Sequence, residues 1–263
     1  MIQNCPAALG VIRLKKMKKN IYMPVIVALG YTVYYYLVLN MMTARGLLVD
    51  LNKVTWSTVG TRFLTDFSVM LLFPVIIILV HRRSLNDFYI SFVRRKVTAV
   101  LGSILLILFI LHNDYTVSGF YKLFFHLIVV AFGEEFLFRG YVYSMMKRYS
   151  KTSAVLVSGI LWGSMHAILP GLVAGEQLGE IGLNMISQLG FGIAAGYYFI
   201  YIMEKSASLF VPVLVHAILN YTVGPIGIIT AVGTGLYFIL HQLKNDKKAV
   251  QNKDDHRDKS ASY

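Results

Sequence analysis

Residues 123–146 read LFFHLIVVAFGEEFLFRGYVYSMM, an apolar stretch in which Glu134 and Glu135 lie side by side and Arg139 follows four residues after the second. At the centre of a membrane helix an acidic or basic residue costs about 2.5–3.5 kcal/mol, while each Leu or Phe returns only about 0.3–0.6 kcal/mol. Three such residues cancel most of the insertion energy of their helix. The protein must therefore supply internal partners for them, and ionisable residues held inside a membrane mark functional sites.

Working outward, the whole chain has the same character. Its 263 residues are 56% hydrophobic and only 14% charged, with a mean hydropathy of +0.61, against about 25% charged in an ordinary soluble chain. Apolar runs of membrane-spanning length fall at about 21–42, 63–80, 98–112, 118–146, 153–173, 184–203, 206–222 and 224–243, the third being the shortest. These predict an all-α, polytopic membrane helix bundle of about eight transmembrane helices around a buried polar site. The first run follows Arg13, Lys15, Lys16, Lys18 and Lys19. It is too long for a signal-peptide core and reads as an anchor.

Basic residues set the orientation. They cluster before the first run, at Arg82, Arg83, Arg94, Arg95 and Lys96, at Lys147, Arg148 and Lys151, and from Lys244 onward. The loops around Asp114, around Glu176 and Glu180, and around Gly224 are poor in positive charge, although Arg45, Lys53 and Arg62 weaken the contrast. Both termini are thus expected in the cytoplasm of a multi-pass cell-membrane protein. The net charge of +12 reflects topology and attraction to anionic lipid heads and argues for no nucleic-acid partner. Cys5 is the single cysteine, which excludes an intrachain disulfide and a CxxC metal site.

Four parts follow: a basic cytoplasmic segment at 1–20, N-terminal transmembrane helices at 21–117, a core at 118–243 that carries the polar constellations, and a polar cytoplasmic tail at 244–263. The end of that tail reads as solvated and disordered.

At about 1.5 Å per residue, Glu135 lies about 18 Å from the basic flank at Lys147, His166 about 20 Å beyond Lys151, and His216 about 15 Å beyond Lys205. Asn220 follows His216 by one turn. Three helices are therefore expected to deliver polar side chains to a similar depth. Residues four apart share a helix face, which pairs Glu135 with Arg139, Trp162 with His166, and His216 with Asn220. Gly159 with Gly163 and Gly192 with Gly196 form small-xxx-small pairs that let helices approach closely. Pro212, one turn before His216, is expected to free a backbone carbonyl.

Plainer readings compete with the functional ones. Glu135 and Arg139 alone fit a structural i,i+4 ion pair equally well, but Glu134 beside them shifts the balance, since a structural pair needs one acid and adjacent carboxylates repel. His112 and His126 read as structural histidines, the Gly pairs as packing devices and Trp162 as a wall residue.

A carboxylate, two imidazoles and a carboxamide can hydrolyse an amide. A glutamate takes a proton from water, a histidine orients the water or protonates the leaving amine, and Asn220 stabilises the oxyanion. Glu134, His166 and His216 are equally candidate ligands for a divalent metal such as zinc, although the HExxH spacing of many zinc peptidases is absent. The residues do not choose between the two.

Glu134-Glu135-Phe-Leu-Phe-Arg139, then Trp162-Gly-Ser-Met-His166, then His216-Ala-Ile-Leu-Asn220 resemble the EExxxR, FxxxH and HxxxN motifs of the CPBP intramembrane proteases. That family contains the type II CAAX prenyl endopeptidases and the bacteriocin-processing and immunity proteins of the Abi group. The similarity spans about residues 118–222, and Phe191, Gly192 and Gly196 resemble the family's glycine-bearing helix. The resemblance implies a membrane-buried peptidase site that opens toward the cytoplasm and acts on a membrane-associated peptide or protein. In it Glu134 activates water with help from His166, His216 and Asn220 hold the substrate carbonyl or oxyanion, and Glu135 and Arg139 shape the site. Trp162 departs from the usual Phe. Family roles include bacteriocin or signal-peptide processing, immunity, quorum sensing and surface-protein display. A proton-coupled transporter would spread its polar groups along a pathway in two repeated halves, so clustering at one depth argues against it. A non-catalytic scaffold that regulates a membrane partner is the second reading.

Overall fold

The computed structural model describes residues 22–260, apart from 92, 94 and 223. The expected cytoplasmic segment at 1–20 lies outside the described residues. Among those described there is no β-strand, and the chain is an all-α, multi-pass membrane bundle.

Helix α1, Met23–Ala44, shows why. Pro24, Ala28, Tyr31, Tyr35, Leu39 and Met42 are buried, while Ile26, Leu29, Val33 and Leu37 are exposed on the other side. A helix that is apolar on both its packed and its outer face has lipid rather than water for its second solvent. Helix α2, Val59–Val80, follows, then α3, Arg95–Leu111, and α4 over residues 117–146. Next come α5, Lys151–Met165, α6, Ile168–Ala174, α7, Leu178–Ser187, and α8, Leu189–Ser206. The last two are α9, Phe210–Thr222, and α10, Pro225–Ser260.

Side-chain caps begin several of these. Thr116 accepts from Gly119 N at 3.1 Å to start α4, Ser150 accepts from Ser153 N at 3.2 Å to start α5, and Gln177 with Glu180 closes a capping box on α7. Each satisfies backbone donors that a helix start leaves unpaired.

Among the described residues four helical stretches are long and apolar enough to cross a membrane, α1, α2, α5 continued by α6, and the first part of α10, and five if α7 and α8 count as one span. Three expectations need correction. The expected single span at 184–203 is broken at Gln188, where α7 and α8 meet at a bend of 49°. Pro212 frees no carbonyl within α9, because the helix begins at Phe210 and the proline occupies its first turn, where a missing N–H costs no helical bond. The tail is not irregular to its end: α10 continues to Ser260, in keeping with a sequence that has neither Gly nor Pro after Gly235 to stop it.

α5 and α8 cross through the two glycine pairs. A Cβ added to Gly163 would stand 2.7 Å from Gly192 Cα and 2.7 Å from Gln188 O, and one on Gly159 would stand 2.7 Å from Ile193 Cα. The backbones touch, as small-xxx-small pairs allow.

Polar networks close the two ends of α4. At its C-terminal end Tyr143 donates to Glu204 Oε1 at 2.5 Å, Lys151 donates to Glu204 Oε2 at 2.5 Å, Lys147 donates to the Tyr89 hydroxyl, and Ser208 donates to Ser91 O at 2.7 Å. At its N-terminal end Tyr121 donates to Asp66 at 2.7 Å, Arg62 pairs with the same carboxylate at 2.8 Å, and Tyr221 donates to Asp114.

Candidate active site

Glu134 stands at the junction of two stretches of α4, Phe125–Phe132 and Glu135–Tyr143, that are wound as wide i→i+5 turns. Such turns are uncommon and concentrate at functional sites. They alter the angular step between successive side chains, so the direction in which each of the two glutamates points is set locally and not by ordinary helical periodicity.

The two carboxylates have different surroundings. Glu134 lines a cavity of about 620 Å³, and its Oε2 accepts the Trp162 indole N–H at 2.5 Å. His166 and Asn220 line the same cavity. The His166 ring packs edge-on against Trp162, with ring centroids 4.1 Å apart, and its Nδ1 lies 2.9 Å from the Trp162 carbonyl oxygen. A carbonyl only accepts, so Nδ1 carries the hydrogen, and in the neutral ring Nε2 is an acceptor.

Glu135 is fully buried behind that wall, as is Arg139. Glu135 Oε1 lies 2.9 Å from His216 Nδ1 and 3.5 Å from Arg139 Nη1. His216 turns its other nitrogen, Nε2, toward Glu134 Oε2 at 3.9 Å, while its ring stacks on Phe199 at 5.3 Å. The Arg139 guanidinium lies 4.3 Å from the centre of the Trp162 ring and 5.3 Å from that of Phe199. Its nitrogens have no hydrogen-bond partner among the described residues, so the cation is met by one carboxylate and two ring faces. Desolvated cation–π contacts of this kind contribute about 2 kcal/mol.

All six candidate residues thus gather around α4, α5 and α9 in two layers. Glu134, His166 and Asn220 face the cavity; Glu135, Arg139 and His216 form a buried polar layer behind. Sequence reasoning treated Trp162 as wall alone and missed its bond to Glu134, and it missed Phe199 altogether. Arg62 and Asp66 also line the cavity, with His126; an acid four residues after an arginine in an apolar run was the available signal for the first two. His112, with Nδ1 at 2.7 Å from Leu108 O, makes a local backbone contact.

Among the described residues no group of three or more His, Cys, Asp or Glu side chains is set to hold a metal ion. His216 meets Glu135 through Nδ1 and turns Nε2 to 3.9 Å from Glu134 Oε2, so two members of the expected zinc set Glu134, His166 and His216 face each other with a carboxylate behind the imidazole.

The cavity runs from Glu134 toward Asp50 and Arg62, the end of α4 away from Lys147 and Lys151.

Fold and site together define a helical membrane protein with a carboxylate-based polar centre inside it. Residues 116–222 match the family model described as Type II CAAX prenyl endopeptidase Rce1-like. The match is similar in extent to the CPBP resemblance of the motifs and agrees with it, and it supports intramembrane endopeptidase activity of the CAAX-protease type in general. No curated protein and no solved structure matches the chain.

Proposed function

We propose that the protein is a glutamate-dependent intramembrane endopeptidase that hydrolyses a peptide bond in a membrane-associated peptide or protein. The observation that carries this reading is the placement of Glu134, His166 and Asn220 around one cavity, with Glu134 Oε2 held by Trp162 and Oε1 left for water. Glu134 Oε1 takes a proton from water, and the water oxygen adds to the peptide carbonyl carbon. The Asn220 carboxamide N–H donates to the oxyanion that forms. As the C–N bond breaks, the proton held by Glu134 passes to the leaving nitrogen, directly or through His166 Nε2, giving a carboxylic acid and an amine.

The layer behind positions this chemistry. Glu135 fixes His216 through Nδ1 so that Nε2 faces Glu134, and Arg139 balances the Glu135 carboxylate. His216 then serves as a positioning residue for Glu134, a role different from holding the substrate carbonyl.

The test compares wild type with Glu134→Gln in proteoliposomes against membrane-associated peptides, one of them prenylated. Cleavage by wild type and none by the variant is expected. Equal cleavage by both overturns the assignment of Glu134, and no cleavage by either, with both shown to be folded, favours the scaffold.

A further inference from the structure

We propose that substrate enters this site from the non-cytoplasmic side of the membrane, as a peptide segment presented at the outer leaflet; this rests on the endopeptidase reading above. Three independent observations point the same way.

The first is the route out of the cavity. From Glu134 its lining passes Met165 and Leu169 to Asp50 and Leu51. Leu169, Val173 and Asp50 are exposed, so the void reaches the surface between the α1–α2 connection and α6. The contributions of α1 and α2 come from Tyr35 and Leu39 and from Arg62 through Met70, the halves of those helices nearest their connecting loop.

The second is the seal at the opposite end. Phe136, Tyr143 and Leu209 are fully buried there. Beyond them Glu204 is bound by Tyr143 and Lys151, and the 89–91 segment is tied to the start of α9 by Ser208 to Ser91 O at 2.7 Å and by Leu209 N to Tyr89 O at 2.7 Å. Both aromatic packing and satisfied polar groups stand between that end and Glu134.

The third is charge. The sealed end carries Arg82, Arg83, Lys147, Arg148 and Lys151, and the sequence adds basic clusters before α1 and after residue 243. The open end carries Asp50, Asp66, Asp114, Glu176 and Glu180 against Arg45, Lys53, Arg62 and Lys122, of which Arg62 and Lys122 are paired with Asp66 and Asp114. Loops rich in Lys and Arg stay in the cytoplasm, which puts the mouth on the other side.

The mouth suits a chain leaving the bilayer. Its walls are mostly aliphatic, while Asp50 and the Arg62–Asp66 pair offer polar groups where backbone emerges into water, the mixture expected of a site that orients an apolar ligand.

Cys5 is the only cysteine, so Cys5→Ser provides a thiol-free background for single-cysteine labelling. Leu51→Cys in the mouth, Asn52→Cys beside it as an exposed second position, and Arg83→Cys at the sealed end are treated with a membrane-impermeant maleimide. Leu51→Cys and Asn52→Cys should label in intact cells, and Arg83→Cys only after the membrane is breached. The reverse pattern overturns the proposal. Labelling needs no cleavage, so this result stands apart from the test of Glu134. With a cleavable peptide in hand, a bulky maleimide applied from outside to Leu51→Cys should abolish turnover; unchanged turnover would show that substrate enters elsewhere.

Discussion

The indole N–H of Trp162 donates to Glu134 Oε2 at 2.5 Å, across the interface of α4 and α5. The family resemblance places a Phe at this position, and a phenyl ring has no donor to offer. In this protein the aromatic residue both walls the cavity and fixes one carboxylate oxygen, which on the proposed mechanism leaves Oε1 for water. A hydrogen bond to a charged group contributes about 1.5–3 kcal/mol. Trp162→Phe should therefore lower kcat by about tenfold or more while KM changes little, because the ring still fills the wall. Steady-state cleavage by the folded variant checks this.

Glu134→Gln and His166→Ala should each abolish cleavage, and the double variant should be no worse than either single one, since catalytic groups that act as a unit fail together. Glutamine keeps the volume and can still meet Trp162, so thermal stability in detergent should hardly move. Parallel activity and melting measurements separate catalytic loss from misfolding.

Arg139→Met should destabilise the protein strongly, by about 3–5 kcal/mol, the cost of leaving one member of a buried ion pair alone. Removing the charges together, as Glu135→Leu with Arg139→Met, should recover part of that loss. Thermal unfolding in detergent of the two singles and the double reads the difference, and a double variant as unstable as the sum of the singles would show that the pair is not coupled.

Gly163→Val should separate α5 from α8, because even a Cβ would come within 2.7 Å of Gly192 Cα. Overpacking of this kind costs about 1–3 kcal/mol. Gly190, where a Cβ would meet nothing within 4 Å, should accept alanine without loss. Comparing the melting temperatures of Gly163→Val and Gly190→Ala tests the crossing.

On the glutamate-dependent mechanism, cleavage should persist in thoroughly chelated protein. Loss on chelation with recovery on adding zinc would overturn that mechanism in favour of a metal held by Glu134, His166 and His216.

The sequence showed much of this because charge inside an apolar run is conspicuous. Glu134, Glu135, Arg139, His166, His216 and Asn220 stand out by cost alone, and counting residues from the basic flanks placed them at one depth. The glycine pairs at 159/163 and 192/196 were legible for a similar reason, as small residues at one-turn spacing. Direction was not legible. The wide turns of α4 carry no signature in hydrophobic pattern, so nothing in the order Glu134-Glu135 told which carboxylate meets the cavity and which meets His216 and Arg139. Phe199 was hidden for another reason: an aromatic residue in a membrane helix is ordinary until a guanidinium is found on its face. The bend at Gln188 follows from how α7 and α8 pack, which local propensity does not encode.

The buried layer behind the site also has a history within each molecule. Glu135 and His216 are 81 residues apart, and Trp162 and Phe199, which cover Arg139, are likewise made after α4. At a synthesis rate of about 5–20 residues per second, α4 spends on the order of ten seconds at the membrane before its imidazole partner emerges. During that wait Arg139, one turn along the same helix, is the counter-charge Glu135 has from its own helix.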